Sequence, residues 1–205
     1  MKHKELFNIC LAPTKNPLEM GAYKEWLHEF NVKILAEGDE IEDALILAGG
    51  ADIGVQPIRD ATEFEFIRKA VEKGVPILGV CRGMQILNHY FGGKVEDITE
   101  SLVEDHTIET ISDGEHTQLN SQFHWIRSMN GDLFICNSRH HQHCSIIAEC
   151  FTPTHYSIDG LVEAFVGDKI LAVQWHPERN EIKGRRDTES VQLPINWLKQ
   201  QLKNG

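Results

Sequence analysis

The sequence is poor in cysteine and in basic residues, and it contains no long apolar run. Its five cysteines are odd in number and sparse among 205 residues, which argues against a disulfide framework and favours a reducing compartment. Lys and Arg number 20 against 31 Asp and Glu, so the net charge of −11 disfavours nonspecific binding to nucleic acid or anionic membranes. The apolar runs are too short to span a bilayer, and residues 1–16 lack the apolar core of a secretory signal. We therefore expect a cytoplasmic protein with neither nucleic acid nor membrane as a partner.

The remaining composition is ordinary for a globular protein, with 41% hydrophobic and 25% charged residues. No internal repeat, low-complexity tract or linker divides the chain. A chain of this length can bury one large core, whereas two cores would be tight. We therefore expect residues 1–205 to form a single domain.

Apolar segments of strand length alternate with helical patterns through the first half. The predicted strands are "LFNICLA", "NVKILAE", "DALILAGG" and "VPILGV", and the predicted helices span residues 19–30, 60–73 and 82–91. Strands that alternate with helices indicate an α/β fold with a largely parallel central sheet flanked by helices on both faces.

The second half is less regular. Residues 94–136 mix polar segments with short β-like runs whose pairing the sequence does not indicate. Three consecutive strands are predicted from "IIAECF", "LVEAFVGD" and "KILAVQWH", with a turn at Asp159-Gly160, and a C-terminal helix is predicted over 187–203.

One cysteine lies at the junction of a predicted strand and a predicted helix. The segment Gly79-Val80-Cys81-Arg82-Gly83 has the spacing of a nucleophile elbow, with cysteine where many hydrolases carry serine. Such a turn exposes the nucleophile at the carboxyl edge of the sheet, and the helix N-terminus favours the thiolate. The backbone N–H of Arg82 would then point to a developing oxyanion. A buried structural cysteine is the alternative that the motif alone leaves open.

Three further segments supply a context for this thiol. Gly49 and Gly50 follow a predicted strand, so their backbone could approach a substrate and complete an oxyanion hole, although a plain turn would look the same. "AVQWHPE" ends a strand with His176 and Glu178, which offer the base that a cysteine nucleophile needs and an acceptor that orients it. "NSRHHQ", residues 137–142, is a candidate substrate-facing loop.

The sequence resembles the class I glutamine amidotransferases, in their γ-glutamyl hydrolase-like branch. "GVCRGMQILNHYFGG", "NSRHHQ" and "LAVQWHPE" match that branch in kind, order and rough spacing, and "LAGGADI" and "IRDATEFEFIRKA" match more loosely. The resemblance covers nearly the whole chain and implies a flavodoxin-like fold of that family. It also implies a cysteine-dependent γ-glutamyl amide hydrolase without a cofactor or a metal.

The resemblance implies a role for each matching residue. Cys81 would attack the γ-glutamyl carbonyl, His176 would act as base and then acid, and Glu178 would orient His176. The backbone N–H groups of Arg82 and Gly50 would stabilise the oxyanion of the reaction. The residues implied in binding the glutamyl group are Gly49, Gln85, Asn137, Ser138 and His141.

The identity of the substrate and of any partner stays open at this stage. Arg82 and Met84 stand where amidotransferase subunits usually read Cys-Leu-Gly-His-Gln, which favours a free-standing hydrolase over a glutaminase subunit that feeds a separate synthetase. Similarity to short members of the branch favours a nucleotide-bearing substrate, γ-glutamyl-CDP-amidate, used in capsule modification. Simple γ-glutamyl amines are the alternative. Arginine and lysine side chains suit a diphosphate, and the candidates are Arg82, Arg127, Arg139, Lys183, Arg185 and Arg186.

A metal site is a competing interpretation of the His-rich segment. "HHQHC" offers His140, His141, His143 and Cys144 as zinc ligands, with Cys136 nearby. Adjacent histidines on an extended segment point to opposite faces, and no Cys-x-x-Cys pair supports such a site, so we expect no metal. The other cysteines, Cys10, Cys136 and Cys150, are expected to be small buried hydrophobes.

Overall fold

The structure is a computed structural model that describes residues 6–14, 16–98, 109–110, 122–179 and 189–204. The helices are α1 (Pro17–Trp26), α2 (Pro57–Lys73), α3 (Arg82–Tyr90) and α4 (Glu189–Asn204). The strands are β1 (Asn8–Leu11), β2 (Asn31–Ile34), β3 (Ala44–Leu47), β4 (Ile77–Val80), β5 (Lys94–Asp97), β6 (Glu109–Thr110), β7 (Gln122–Ser128), β8 (Leu133–Asn137), β9 (Gln142–Ile146), β10 (Thr152–Ser157), β11 (Val162–Gly167) and β12 (Ile170–Val173).

The central sheet is mostly parallel, as the sequence predicts. Its parallel part has the order β2-β1-β3-β4-β12. An antiparallel extension continues from β12 through β11, β10 and β7, and β7 also pairs with β6 and β8. The strands β5 and β9 form a separate antiparallel pair. Because β4 and β12 are neighbours, the segments that follow them meet at the carboxyl edge of the sheet.

Helices cover both faces of the parallel strands, because the side chains of each strand alternate between two cores. One core combines Leu78 and Val80 of β4 with side chains of α1 and α4. The other core combines Ile77 of β4 with side chains of α2 and α3. Strands that are apolar on both faces need this double cover, which confirms the predicted fold class.

Local sequence signals set the ends of the helices that border the site. Asn16 caps α1, and its Oδ1 accepts a hydrogen bond from the N–H of Leu18 at 3.0 Å. Pro57 occupies the first turn of α2, where a missing N–H costs nothing, and Gly74 ends that helix in the left-handed region with φ 70°. The helix α2 therefore starts earlier than its predicted first residue, 60.

The prediction of strands and helices was less accurate in the second half of the chain. "IIAECF" is not one strand: β9 ends at Ile146, a turn follows, and β10 begins at Thr152. The predicted strands at 161–168 and 169–176 are present as β11 and β12, and the predicted C-terminal helix is α4. Within the described residues, no helix has the length and apolar character needed to cross a membrane. The single domain over 1–205 stays a prediction.

Candidate active site

Cys81 lies in the tight turn between β4 and α3. Its backbone has φ 51° and ψ −107°, a strained combination for a residue other than glycine, and its N–H donates to Val173 O at 2.8 Å. Both glycines that flank the elbow are required, because a side chain has no room at either position. A Cβ on Gly79 would lie 2.6 Å from Gly83 O, and a Cβ on Gly83 would lie 2.1 Å from Leu47 O. The sequence therefore forms the sharp elbow that holds a thiol above the end of a strand.

His176 and Glu178 follow β12 and reach the same edge of the sheet. His176 Nδ1 donates to Glu178 Oε1 at 2.6 Å, and the imidazole lines the same cavity as Cys81. Burial disfavours the charged imidazolium, but the Cys81 sulfur and the Glu178 carboxylate outweigh it and raise the pKa of His176 to about 10. The structure thus brings the three predicted triad residues together, and their roles as nucleophile, base and orienting carboxylate stay predictions.

Asn137 fixes the backbone of the histidine. Its Nδ2 donates to His176 O at 2.8 Å, and its Oδ1 accepts from His176 N at 2.8 Å. The same Nδ2 also approaches Arg179 O at 3.3 Å. Asn137 is buried, and its side chain holds the turn of the base instead of lining the cavity at the thiol.

The two predicted oxyanion donors are close to the thiol in different ways. Arg82 directly follows Cys81 at the start of α3, and Gly50 lines the cavity that contains Cys81. Gly50 has φ 152°, and a Cβ there would lie 2.1 Å from Nη1 of Arg59. The assignment of these two backbone N–H groups to an oxyanion hole stays a prediction.

Gly49 has a different role in the site from that of Gly50. Its N–H donates to the Tyr23 hydroxyl at 3.0 Å, and a Cβ there would lie 2.7 Å from Cε1 of His176. Burial, followed by the nearby Glu178 carboxylate, raises the pKa of Tyr23 well above its ordinary value, so the phenol stays protonated. Gly49 thus gives room to the imidazole. Sequence reasoning missed Tyr23, because its spacing on α1 indicates only a core residue.

The other predicted substrate contacts do not line the cavity in this structure. Gln85 is buried, and its Nε2 donates to Gln174 Oε1 at 3.3 Å and to Gln142 O at 3.3 Å. Gln174 in turn donates to Cys81 Sγ at 3.6 Å. Ser138 is also buried, whereas His141 lies exposed on the rim, with Nε2 2.9 Å from Asp52 Oδ2. Their roles in glutamyl binding stay predictions.

Arg82 contradicts its predicted role as a cation for a diphosphate. Its guanidinium is 1% exposed and forms ion pairs with Asp60 and Glu63 of α2. Glu63 also accepts from Arg59 Nε at 2.8 Å. The side chain of Arg82 is therefore neutralised by carboxylates of α2 and does not line the cavity at the thiol.

A cavity of about 360 Å³ opens in front of the thiol. It is lined by Thr14, Asn16, Glu19, Gly50, Ala51, Gln56, Arg59, Cys81, Arg139, His176 and Arg179. Of the predicted cations, only Arg139 is among these residues. Arg127 is exposed on β7 and does not line the cavity, and Lys183, Arg185 and Arg186 lie outside the described residues. Arg59 and Arg179 were missed, because no local motif marks them.

A second cavity of about 420 Å³ adjoins the first and is mostly apolar. The two share Thr14, Gln56 and Arg59. Val55, Pro57 and Ile58 at the start of α2 provide apolar walls, and Phe66 contributes from further along the helix. A substrate at the thiol could therefore extend onto apolar surface as well as toward arginine.

The structure does not bring together the residues of "HHQHC" that offered a zinc site as the alternative interpretation. His140 is buried, His141 is exposed, and Cys144 packs in the core that contains α2 and α3. Cys136 is buried as predicted, but Cys150 is exposed, because it lies in the turn before β10 and not in a strand.

Comparison with known proteins places this geometry in a family. The sequence profile of the peptidase C26 family matches residues 22–178. A glutamine amidotransferase-like protein from Lactococcus lactis is 34% identical over 160 residues, which cover 66% of this chain and 66% of that protein. The chain spans between half and two thirds of the length of the first curated relatives that it matches.

Two other similarities extend over almost the whole chain. The γ-glutamyl-CDP-amidate hydrolase of Campylobacter jejuni is 29% identical over 205 residues, covering 96% of this chain and 82% of that protein. The crystal structure of a glutamine amidotransferase from Thermotoga maritima superposes with a TM-score of 0.65 at 16% identity, covering 97% of this chain and 90% of that one. The chain belongs to the peptidase C26 family and has the class I glutamine amidotransferase fold.

Proposed function

We propose that the protein hydrolyses a γ-glutamyl amide through a covalent γ-glutamyl thioester on Cys81. The observation that carries the proposal is the arrangement of Cys81, His176 and Glu178. Cys81 lies in the elbow, Cys81 and His176 line one cavity, and Glu178 Oε1 lies 2.6 Å from Nδ1 of the imidazole. A nucleophile in reach of a base that a third group orients is the arrangement used in covalent catalysis.

In the first half of the reaction, the Cys81 thiolate attacks the γ-carbonyl carbon and forms a tetrahedral oxyanion. The backbone N–H groups of Arg82 and Gly50 donate to that oxygen. Protonated His176 then gives its proton to the leaving nitrogen, the C–N bond breaks, and the thioester remains. A raised pKa keeps His176 protonated and able to act as this acid at neutral pH.

In the second half, water attacks the thioester and the neutral imidazole of His176 accepts its proton. The C–S bond breaks, glutamate leaves, and the thiolate–imidazolium pair is restored. Glu178 accepts the hydrogen bond from Nδ1–H, so Nε2 is the nitrogen that exchanges the proton.

We propose γ-glutamyl-CDP-amidate as the substrate, with cytidine diphosphoramidate as the leaving product. Arg59, Arg139 and Arg179 line the cavity beside the thiol, and guanidinium groups suit phosphate oxygens. Part of this positive charge is offset by carboxylates. Glu63 lies 2.8 Å from Arg59, and Glu19 lies 3.2 Å from Arg179. The similarity to the Campylobacter hydrolase supports the same substrate.

A simple γ-glutamyl amine is the second candidate substrate. The apolar cavity that shares Thr14, Gln56 and Arg59 with the site favours it, because an alkyl or aryl amine would bury its apolar part there. Ammonia release to a partner synthetase is a third candidate. Turnover by the purified chain alone would argue against that dependence.

The test compares kcat/KM for γ-glutamyl-CDP-amidate, L-glutamine and a γ-glutamyl alkylamine with purified protein. Diphosphate contacts that contribute about 3 kcal/mol at the transition state give a preference of about 100-fold for the nucleotide compound. Equal rates would reject the nucleotide substrate and retain the glutamyl chemistry. The matched variant Cys81→Ala should lose all three activities, and more than about a tenth of activity remaining would reject the covalent mechanism.

A further inference from the structure

A cluster of metal-ligating side chains lies behind the active site, apart from the thiol. His124 on β7 and Cys136 on β8 are direct cross-strand neighbours. Glu163 on β11 contacts His124, and His140, which follows β8, contacts the same oxygen of Glu163. The side chains of His124, His140 and Glu163 are 3%, 2% and 0% exposed, and Cys136 is also buried.

The distances in this cluster are those of ligands around a shared ion. His124 Nε2 lies 3.4 Å from Glu163 Oε1, and His140 Nε2 lies 3.6 Å from the same oxygen. Charged hydrogen bonds are shorter, at about 2.7–2.9 Å. Zinc bonds of about 2.0–2.3 Å in a tetrahedron place neighbouring ligand atoms about 3.3–3.7 Å apart. The ligand atoms of His124, Cys136 and Glu163 all lie within 4.8 Å of one another.

The donor set also fits a particular class of metal. One imidazole, one thiolate and one carboxylate form a three-donor NSO set, which suits Zn²⁺ and is unlike the all-oxygen sets of Mg²⁺ and Ca²⁺. A thiolate and a carboxylate supply two negative charges, which a divalent ion balances in a site without solvent.

We infer that His124, Cys136 and Glu163 form a structural zinc site. His140, whose Nε2 lies 3.6 Å from Glu163 Oε1, is a further donor beside this set. None of these residues lines the cavity at the thiol, so the ion would not take part in the hydrolysis. The set shares no ligand with His140, His141, His143 and Cys144 of the His-rich segment. The sequence could not show it, since its ligands come from β7, β8 and β11.

The position of the cluster gives the site a structural purpose. Cys136 directly precedes Asn137, whose side chain holds the backbone of His176. Glu163 O accepts the N–H of Gln174, and the side chain of Gln174 reaches Cys81 Sγ. A bound ion would therefore fix the segments that position both the base and the thiol.

The experiment uses the full chain carrying Cys81→Ala, because the Cys81–His176–Glu178 set could itself bind a thiophilic ion. The protein is stripped with a chelator and titrated with Co²⁺, which replaces Zn²⁺ and reports its ligands by absorption. A thiolate-to-Co²⁺ charge-transfer band that saturates at one equivalent is expected, together with one zinc per chain by elemental analysis of the protein as purified. Absence of the band overturns the site.

The band is then assigned with matched cysteine variants in the same background. Cys136→Ser should abolish it, and Cys144→Ser, which alters an equally buried thiol outside the cluster, should retain it. A band that survives Cys136→Ser overturns the assignment. Should Cys136→Ser fail to fold by circular dichroism, His124→Gln replaces it. A loss of Co²⁺ affinity of at least about tenfold is then expected, and unchanged affinity overturns the site.

Discussion

The side chain of Asn137 brackets the backbone of His176, donating to its carbonyl oxygen and accepting from its N–H, both at 2.8 Å. The two residues lie on different segments, one at the end of β8 and one just after β12. The candidate base is thus positioned through its main chain by one amide, and through its imidazole by Glu178.

Asn137→Ala should therefore lower kcat more than it raises KM. The substitution leaves the buried N–H of His176 without its partner and leaves its carbonyl with the N–H of Arg179 alone. The imidazole can then shift, and misplacement of about 1 Å costs about 100-fold in rate. Steady-state kinetics with the best γ-glutamyl substrate measures the change. A rise in KM at constant kcat would instead favour the predicted substrate contact by Asn137.

The other two residues of the candidate triad should differ in their effects. His176→Ala removes both the base and the acid and should approach the loss caused by Cys81→Ala. Glu178→Gln keeps the shape and should cost less, because this residue acts through the imidazole. Parallel measurements of kcat/KM on the two variants decide the order. A greater loss in Glu178→Gln would contradict the assigned roles.

The pH dependence of kcat/KM should report the ionisation of His176. The Cys81 sulfur and the Glu178 carboxylate raise its pKa to about 10 against the opposing effect of burial, so the acid that protonates the leaving group is lost only as the pH rises through that value. We expect the alkaline limb of kcat/KM near pH 10 in the wild type. In Glu178→Gln the limb should move to lower pH, because one of the stabilising charges is gone. A limb unmoved by that substitution would show that another group titrates.

The sequence was most informative where the physical signal is local. The buried runs of β3 and β4, the helix α3 and the elbow at Cys81 follow from hydrophobic pattern and glycine spacing within a few residues. The antiparallel extension could not be predicted, since its register joins distant segments, such as His155 with Ser128. The same reason hid Arg59 and Arg179, which reach the cavity from opposite halves of the chain.

The burial of Arg82 contradicts the role that the sequence predicted for its side chain. Arg82 was a reasonable phosphate ligand by its position beside the nucleophile, yet its side chain turns inward to Asp60 and Glu63. Position in the sequence locates a backbone at the sheet edge, but it does not give the direction of a long side chain.

The buried ion pairs behind the elbow should be important for stability. Glu63→Gln leaves the Arg82 guanidinium with one carboxylate and weakens the contact to Arg59, and breaking a buried pair costs about 3–5 kcal/mol. Denaturant unfolding of the two proteins measures this free energy. Glu65→Gln on the same helix removes an exposed partner of Arg68 and is the matched control, with little change expected. Equal stability of both variants would show that Arg82 is held by Asp60 alone.

The arginines of the cavity separate the two candidate substrates. Arg139 lines the cavity at the thiol, whereas Arg127 is exposed on β7 and does not, so the pair differ in location and not in charge. If Arg139 contacts the diphosphate, Arg139→Ala should lower kcat/KM for γ-glutamyl-CDP-amidate by about 10–100-fold and leave that for a γ-glutamyl alkylamine within about twofold. Arg127→Ala should change neither value. An equal loss on both substrates would instead place Arg139 at the glutamyl group, which both substrates share.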